Sequence, residues 1–373
     1  DDLDALTRLL RPAGAGIHTV STGVASQLAL QQEIYGTKGD RTEIDARWRA
    51  TIESLASARA VVLGVPSDVG AGFTRGANFG PQEIRRTLLQ KAPETYRQAV
   101  DLGDVLVVPQ LLSDEMLSAD QLRRTRAAVY GDPDIALAAS PLTKAEDALR
   151  IVRRLAPRAR PLILGGDHSV GWPGFAAVAA GREHEIGILH FDAHTDLLAE
   201  RLGVRYCFAT WAYHANELLG RGGKLVQVGL RISGKTRAHW EETLDVRQYW
   251  MEEMRSRPLG AIADEIVERF RSRGVRGVYI SNDIDGTDPT FAGATGTPEP
   301  GGLRPDEVVG LIEAVGAAFP VWGSDVVEVA PPLAHGNRAE PERTLETAAS
   351  YAALQLQQML RESSTGESNT GTQ

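Results

Sequence analysis

Three short segments gather residue types that bind metal ions: Gly165-Gly166-Asp167-His168, Asp192-Ala193-His194-Thr195-Asp196 and Asp283-Ile284-Asp285. Each closes an apolar run of the kind that forms a buried strand. In extended chain, residues two apart project to the same side. Asp192, His194 and Asp196 therefore point together, as do Asp283 and Asp285, and His168 supplies a second imidazole. Four carboxylates and two imidazoles are too many for one tetrahedral zinc. They suit two divalent ions per subunit, bridged by shared carboxylates, and the mixed oxygen and nitrogen set fits Mn2+ or, given the imidazoles, Ni2+. Taken singly, an Asp at a strand end is usually a turn former or helix cap, and Asp167 is read that way. Taken together, five or six ionisable groups buried at neighbouring strand ends without a cation would be very costly.

Such a site needs strands whose carboxyl ends converge, as they do in open α/β sheets. Strand candidates are 60–68, 105–111, 161–169, 186–196, 224–230, 277–285 and 320–332. Helical patterns sit between most of them, notably 259–273, 304–318 and 343–361. Pro81 opens a helix after the glycine-rich stretch 70–80, and Thr143 with Glu146 reads as a capping box before another. Residues 112–140 read as a long polar connection. Alternating strands and helices predict a parallel sheet covered on both faces. Residues 57–361 show no linker and no repeat and read as one catalytic domain. Residues 1–56 read as a helical extension, with Ile44, Trp48, Ile52 and Leu55 on one face. The Ser/Thr/Gly-rich tail 362–373 reads as disordered.

Composition narrows the function classes. The chain has 373 residues, 42% of them hydrophobic, with a net charge of −9. The acidic balance argues against nucleic acid as a partner, and no apolar run is long enough for a membrane span. Cys207 is the single cysteine, which excludes a disulfide scaffold. With no leader visible at the start, it favours the cytoplasm. The glycine-rich stretch has neither GxGxxG nor Walker spacing, so nucleotide binding is a weak reading.

The stretches GGDHSVGWPGF, HFDAHTDL, SNDIDGTDP, ATGTPEPGGL and SDVVEVAPP, with the loop SDVGAGFTRGANFGPQEIR, resemble the ureohydrolase family of arginases, agmatinases and relatives, over about residues 58–355. The resemblance implies an arginase-like three-layer α/β/α fold with a mostly parallel central sheet, a two-metal centre and a homo-oligomer, trimer or hexamer. By position, His168, Asp192, His194, Asp196, Asp283 and Asp285 are similar to the metal ligands. Glu328 is similar to the glutamate that binds the guanidinium, and Thr297 to the threonine near the substrate. The chemistry fits these roles. Guanidinium is resonance-stabilised and cationic, so attack by water needs an activated nucleophile. A carboxylate such as Glu328 can accept paired N–H bonds from the planar cation. Asp196 is placed to shuttle a proton from the water.

After DAHTD, the better-known branches carry a His that serves the leaving amine. Here the stretch reads Arg205-Tyr-Cys-Phe-Ala-Thr-Trp-Ala-Tyr-His214, with Phe208 about where that His is expected. His214 is the nearest replacement. Phe208 and Trp211 would narrow the pocket and hold a small cation through cation–π contact. This resembles the guanidine hydrolase branch, in which free guanidine gives urea and ammonia, nickel is preferred and metal-delivery accessory proteins are possible partners. Alternatives are an agmatinase or guanidino-acid ureohydrolase, or an alkylguanidine or biguanide hydrolase of the metformin type. Hydrolysis of formimino or acetylpolyamine substrates, and a non-catalytic partner subunit of a heteromeric ureohydrolase, are the rival classes.

Overall fold

The strands form because their residues alternate between two apolar cores. The computed structural model describes residues 1–17, 22–334 and 340–361. Nine strands among these residues make one sheet: β1 (Leu10–Arg11), β2 (Ala60–Val65), β3 (Val100–Val105), β4 (Arg160–Gly165), β5 (Ile186–Phe191), β6 (Leu225–Leu230), β7 (Arg247–Trp250), β8 (Gly277–Asp283) and β9 (Val321–Val327). Their order is β1-β3-β2-β4-β9-β8-β5-β6-β7. Only β1, paired with β3, is antiparallel.

In β4, Leu162 and Leu164 enter one core and Ile163 the other; in β2, Val62 opposes Val61 and Leu63 in the same way. Helices Gly80–Lys91, Leu259–Ser272, Pro305–Ala318 and Glu340–Leu360 cover the first face. Helices Pro141–Leu155, Gly171–Ala179 and Trp211–Leu218 cover the second. Strands buried on both sides read as continuous apolar runs, which is why the sequence displays them so plainly. The result is the expected three-layer α/β/α fold. Helices Asp2–Leu9 and Arg41–Glu53 also lie on the second face, where Ile44, Trp48, Ile52 and Leu55 are all buried. The Trp48 indole donates to the Leu102 carbonyl at 2.9 Å.

The four central strands β4, β9, β8 and β5 are neighbours, and their carboxyl ends are level. Phe191 pairs with Asn282, Asp283 with Val327 and Val326 with Leu164. His168, Glu328, Asp283 and Asp192 therefore emerge along one edge, with no other strand between them.

Three local expectations are corrected. Of the run 105–111 only Val105 belongs to a strand of the sheet; that strand begins five residues earlier and spans Val100–Val105. The apolar signal misled because this strand carries Asp101 and Asp104, both paired with the buried Arg85. Thr143 does not cap a helix. The helix begins at Pro141 behind Ser140, and Thr143 Oγ1 accepts from the Asp114 amide. The connection 112–140 holds a helix, Ala119–Tyr130, capped by Ser118 and closed by Gly131 in the left-handed conformation that glycine adopts freely. The tail 362–373 lies outside the described residues. No helix among the described residues is long and apolar enough to cross a membrane.

Candidate metal centre

His168 follows β4 through the turn Gly166-Asp167. Asp167 caps that turn, accepting from the Ser169 amide at 2.8 Å, and ties down the glycine-rich loop through the Gly70 amide at 3.1 Å. The His168 ring is held from behind. Its Nε2 lies 2.9 Å from Ser281 Oγ, and that hydroxyl donates to Asp325 Oδ1 at 2.8 Å. Asp325 also accepts from Tyr279 and from the Asn282 amide. With the Ser281 proton committed to Asp325, the hydroxyl accepts from His168 Nε2–H, which leaves Nδ1 as a bare lone pair. That nitrogen is buried and has no aligned hydrogen-bond partner among the described residues. It faces Asp283 Oδ2 at 3.0 Å, Asp196 Oδ2 at 3.2 Å and Asp192 Oδ2 at 3.3 Å. A lone pair converging with three carboxylate oxygens is a donor set for a cation.

A second group adjoins the first through Asp192. His194 Nδ1 lies 3.1 Å from Asp285 Oδ2 and 3.4 Å from Asp192 Oδ1. Asp285 is oriented by the Ala193 amide and by Thr297 Oγ1 at 2.9 Å, and Asp283 by the Asp285 amide. The six ligand-type residues thus form two sets that share Asp192. The His194 side chain is 26% exposed whereas the other five are nearly closed to water, so the site opens on the His194 side, toward Glu299.

The electrostatics describe an excess of anions. No Lys or Arg pairs with these carboxylates among the described residues. Burial raises the Asp283 carboxyl well above its usual range, helped by Asp285 and Asp192, and burial together with Asp192 raises Asp196. Burial would depress His194, but Asp285 and Asp192 push it up to about 12; His168 is likewise held high by Asp192, Asp196 and Asp283. Protons and divalent cations compete for these same atoms.

Two backbone positions are strained. Asp196 (φ 51°) and Glu328 (φ 62°) occupy the left-handed region that non-glycine residues seldom enter. Glu328 is fixed there because its amide donates to the Gly166 carbonyl and its Oε1 accepts from the His168 amide, both at 2.8 Å. Burial, then Asp167, holds its carboxyl well above the usual range. Its Oε2 looks toward Gly296, where an added Cβ would come within 3.2 Å of the Thr74 carbonyl. Glycine there keeps open the gap between Glu328 and the glycine-rich loop.

The structure brings His168, Asp192, His194, Asp196, Asp283, Asp285, Thr297 and Glu328 together, and it separates the aromatic candidates. Trp211 is fully buried, stacked on the His168 ring at 4.7 Å, so it supports a ligand and does not line an opening. His214 does not join the cluster. Its Nε2 lies 3.0 Å from the Arg205 carbonyl, and its ring sits among Trp172, Tyr206 and Tyr213. Phe208 does reach an opening. It lines a cavity of about 540 Å3 with Gly72, Phe73, Met116, Arg201 and Leu202, and the Arg201 guanidinium lies over its ring at 5.0 Å.

Sequence reasoning missed two residues. His190, fully buried on β5, places Nε2 2.9 Å from Asp192 Oδ2; its position two before Asp192 was a usable signal, since both project to one side. Arg231 spends its N–H groups on the backbone carbonyls of Gly229, Asp285, Gly286 and Glu299, clamping the 295–302 loop to the strand ends. Nothing in local sequence announces that role.

A profile of the arginase family matches residues 58–356. The chain is 34% identical over 292 residues to proclavaminate amidinohydrolase of Streptomyces clavuligerus, covering 74% of this chain and 82% of that one. It is 31% identical to guanidinobutyrase of Pseudomonas aeruginosa, over 73% and 79% of the two chains. The solved structure of the Streptomyces clavuligerus enzyme superposes with a TM-score of 0.65 at 30% identity, over 82% of this chain and 92% of that one.

Proposed function

The chain belongs to the arginase family, hydrolases of C–N bonds in amidino compounds, and from that premise we propose that it cleaves free guanidine to urea and ammonia at a two-cation centre. The observation that supports the two-cation centre is the buried Nδ1 of His168 among three carboxylates; the choice of free guanidine rests on Phe208. Asp192, Asp196 and Asp283 with His168 would hold one divalent ion, and Asp192 and Asp285 with His194 the other. Ni2+ is the favoured metal and Mn2+ the alternative. When bound, the pair supplies a water acidified enough to attack at neutral pH.

The chain's own groups do the rest. Glu328 Oε1 is committed to the His168 amide, so Oε2 receives the guanidinium N–H groups. Thr297 keeps Asp285 in place through its hydroxyl. Asp196 takes the proton of the attacking water and delivers it to the departing nitrogen, so that guanidinium and water give urea and ammonium. His214, tied to the Arg205 carbonyl, has no part in that transfer. Phe208 stands beside Gly72 in the cavity next to the glycine-rich loop, and on this reading its ring limits the length of substrate the site accepts. Among the cavity-lining residues the one charged side chain is Arg201, which offers nothing to an ammonium tail such as agmatine's.

Arg201 supports a second reading. It forms no ion pair among the described residues, so a guanidino acid could place its carboxylate there. The test is urea release from a panel of guanidine, methylguanidine, a biguanide, agmatine and 4-guanidinobutyrate, on protein loaded separately with Ni2+ and Mn2+. Guanidine is expected to turn over fastest. Faster turnover of guanidinobutyrate would move the assignment to the acids, and faster turnover of agmatine would break the pocket argument. Release of formamide or acetate, or a loaded chain inert on the whole panel, would defeat the ureohydrolase reading. A cytoplasmic setting, a trimer or hexamer of this chain, and accessory proteins that deliver the metal are part of the same proposal; light scattering tests the assembly.

A further inference from the structure

A chain of buried polar side chains crosses three strands, from the sheet edge to the metal centre. Trp250, half-buried at the end of β7, donates its indole N–H to Gln248 Oε1 at 3.0 Å. Gln248 Nε2 donates to Gln227 Oε1 on β6 at 2.9 Å. Gln227 Nε2 lies 3.0 Å from His190 Nδ1 on β5 and 2.6 Å from the Thr195 carbonyl. His190 Nε2 meets Asp192 Oδ2 at 2.9 Å. Gln248, Gln227 and His190 are each fully buried.

The direction of every bond is forced from both ends. An indole N–H can only donate, and a backbone carbonyl can only accept. Trp250 therefore fixes which end of the Gln248 amide is oxygen, and Gln248 fixes Gln227. The Thr195 carbonyl independently requires a nitrogen at that end of Gln227. Facing a donor, His190 Nδ1 must be the unprotonated nitrogen, so the ring proton sits on Nε2 and points at Asp192. His190 lies close enough to His168, Asp192 and Asp196 to be counted with them as a metal-binding group. The relay removes it from that role, because neither ring nitrogen keeps a free lone pair.

We infer that Trp250 is a positioning residue of the metal centre, acting through Gln248, Gln227 and His190 to hold the carboxylate of Asp192. The inference rests on the two-cation reading above. Asp192 belongs to both ligand sets, so its orientation sets the geometry of both ions. Outer hydrogen-bond partners of metal ligands typically change metal affinity by about 10- to 100-fold when removed.

The test uses the full-length chain freed of metal with a chelator. Solid-state 15N spectra of histidine-labelled wild type, with the His190 signal assigned by its loss in His190→Gln, should show the proton on Nε2; a proton on Nδ1 would overturn the relay. Calorimetric titration with Mn2+ should then show binding roughly tenfold weaker in Trp250→Phe and in Gln248→Glu. The second substitution keeps shape and the bond from Trp250 but cannot donate to Gln227, so the His190 signal should change with it. Variants that bind Mn2+ as wild type does, or an unmoved His190 signal, would overturn the assignment. Trp250 is half-buried at an edge strand, so Trp250→Phe keeps the test open should Gln248→Glu fail to fold. A wild type that takes up neither Mn2+ nor Ni2+ would instead sink the two-cation reading, and the 15N spectrum alone would decide the relay.

Discussion

Two buried acid clusters sit on the same sheet, and only one is neutralised by a permanent cation of the chain. At the β2–β3 end, Asp101 and Asp104 surround Arg85, which is fully buried. Its guanidinium reaches Asp101 at 2.8 and 3.0 Å, Asp104, and the Gly103 carbonyl at 2.8 Å. Tyr96 and the amides of Gly103 and Gly14 fill the remaining acceptor positions. At the β4-β9-β8-β5 ends, Asp192, Asp196, Asp283 and Asp285 face the imidazoles of His168, His190 and His194 and no guanidinium or ammonium among the described residues. The first cluster is a finished structural element. The second, on the two-cation reading, is completed by cations from outside, and that difference separates a site from a scaffold more sharply than burial or acidity does.

Breaking each cluster should therefore have opposite consequences. Asp283→Asn should lower urea release by about a thousandfold, since the cations contribute several kcal/mol to the barrier. In the presence of chelator, the same variant should be as stable as wild type or more so in urea denaturation, because it removes one of several mutually repelling carboxylates; marked destabilisation of the metal-free variant would erase the contrast. Arg85→Met should destabilise the fold by about 3–5 kcal/mol, since it strands two buried carboxylates, and added metal should not restore it. A mild effect there would mean that the β2–β3 cluster is not held by its internal cation.

Glu328→Gln sharpens the comparison inside the site. It keeps the strained turn and the hydrogen bond to the His168 amide but lowers the charge that receives the guanidinium. Metal content should be unchanged while kcat/KM falls about 100-fold; loss of metal instead would show that Glu328 serves the ions. The smallest effect tests the reverse case, a buried cation without a carboxylate bonded to it. Lys144 donates to the Leu106 carbonyl at 2.9 Å, and burial lowers its pKa to about 8 from 10.5. Between those values the unfolded chain binds more protons than the folded one, so wild-type stability should rise with pH across that window. Below pH 8 both states are protonated and the fold carries the burial penalty. Lys144→Met should then be more stable than wild type by roughly 2 kcal/mol at pH 7. The gain should shrink toward pH 10.5; a pH-independent difference would contradict the assignment.

The same contrast explains what the sequence could disclose. The candidate ligands were legible as a cluster because alternation along a strand brings Asp192, His194 and Asp196 to one side within five residues, and the central strands are apolar enough to stand out. His190 was equally available by that rule. β3 was placed too late because its charged residues hide the pairing that Arg85 makes possible from a distant helix. β7 passed unnoticed because Arg247-Gln248-Tyr249-Trp250 has no apolar alternation, although it anchors the relay to Asp192. Arg231 acts through carbonyls contributed by three separated segments, and Phe208 and His214 differ in role through loop geometry that spacing does not encode.

The central claim is that the β4-β9-β8-β5 cluster takes up two divalent cations, and metal counting tests it most directly. Purified chain, stripped with chelator and reloaded with Ni2+ or Mn2+, should carry two ions per chain by inductively coupled plasma mass spectrometry, and His168→Ala should carry fewer. Urea release should vanish on stripping and return on reloading. A chain that holds no divalent ion after loading, or that releases urea at full rate when stripped, would contradict the account.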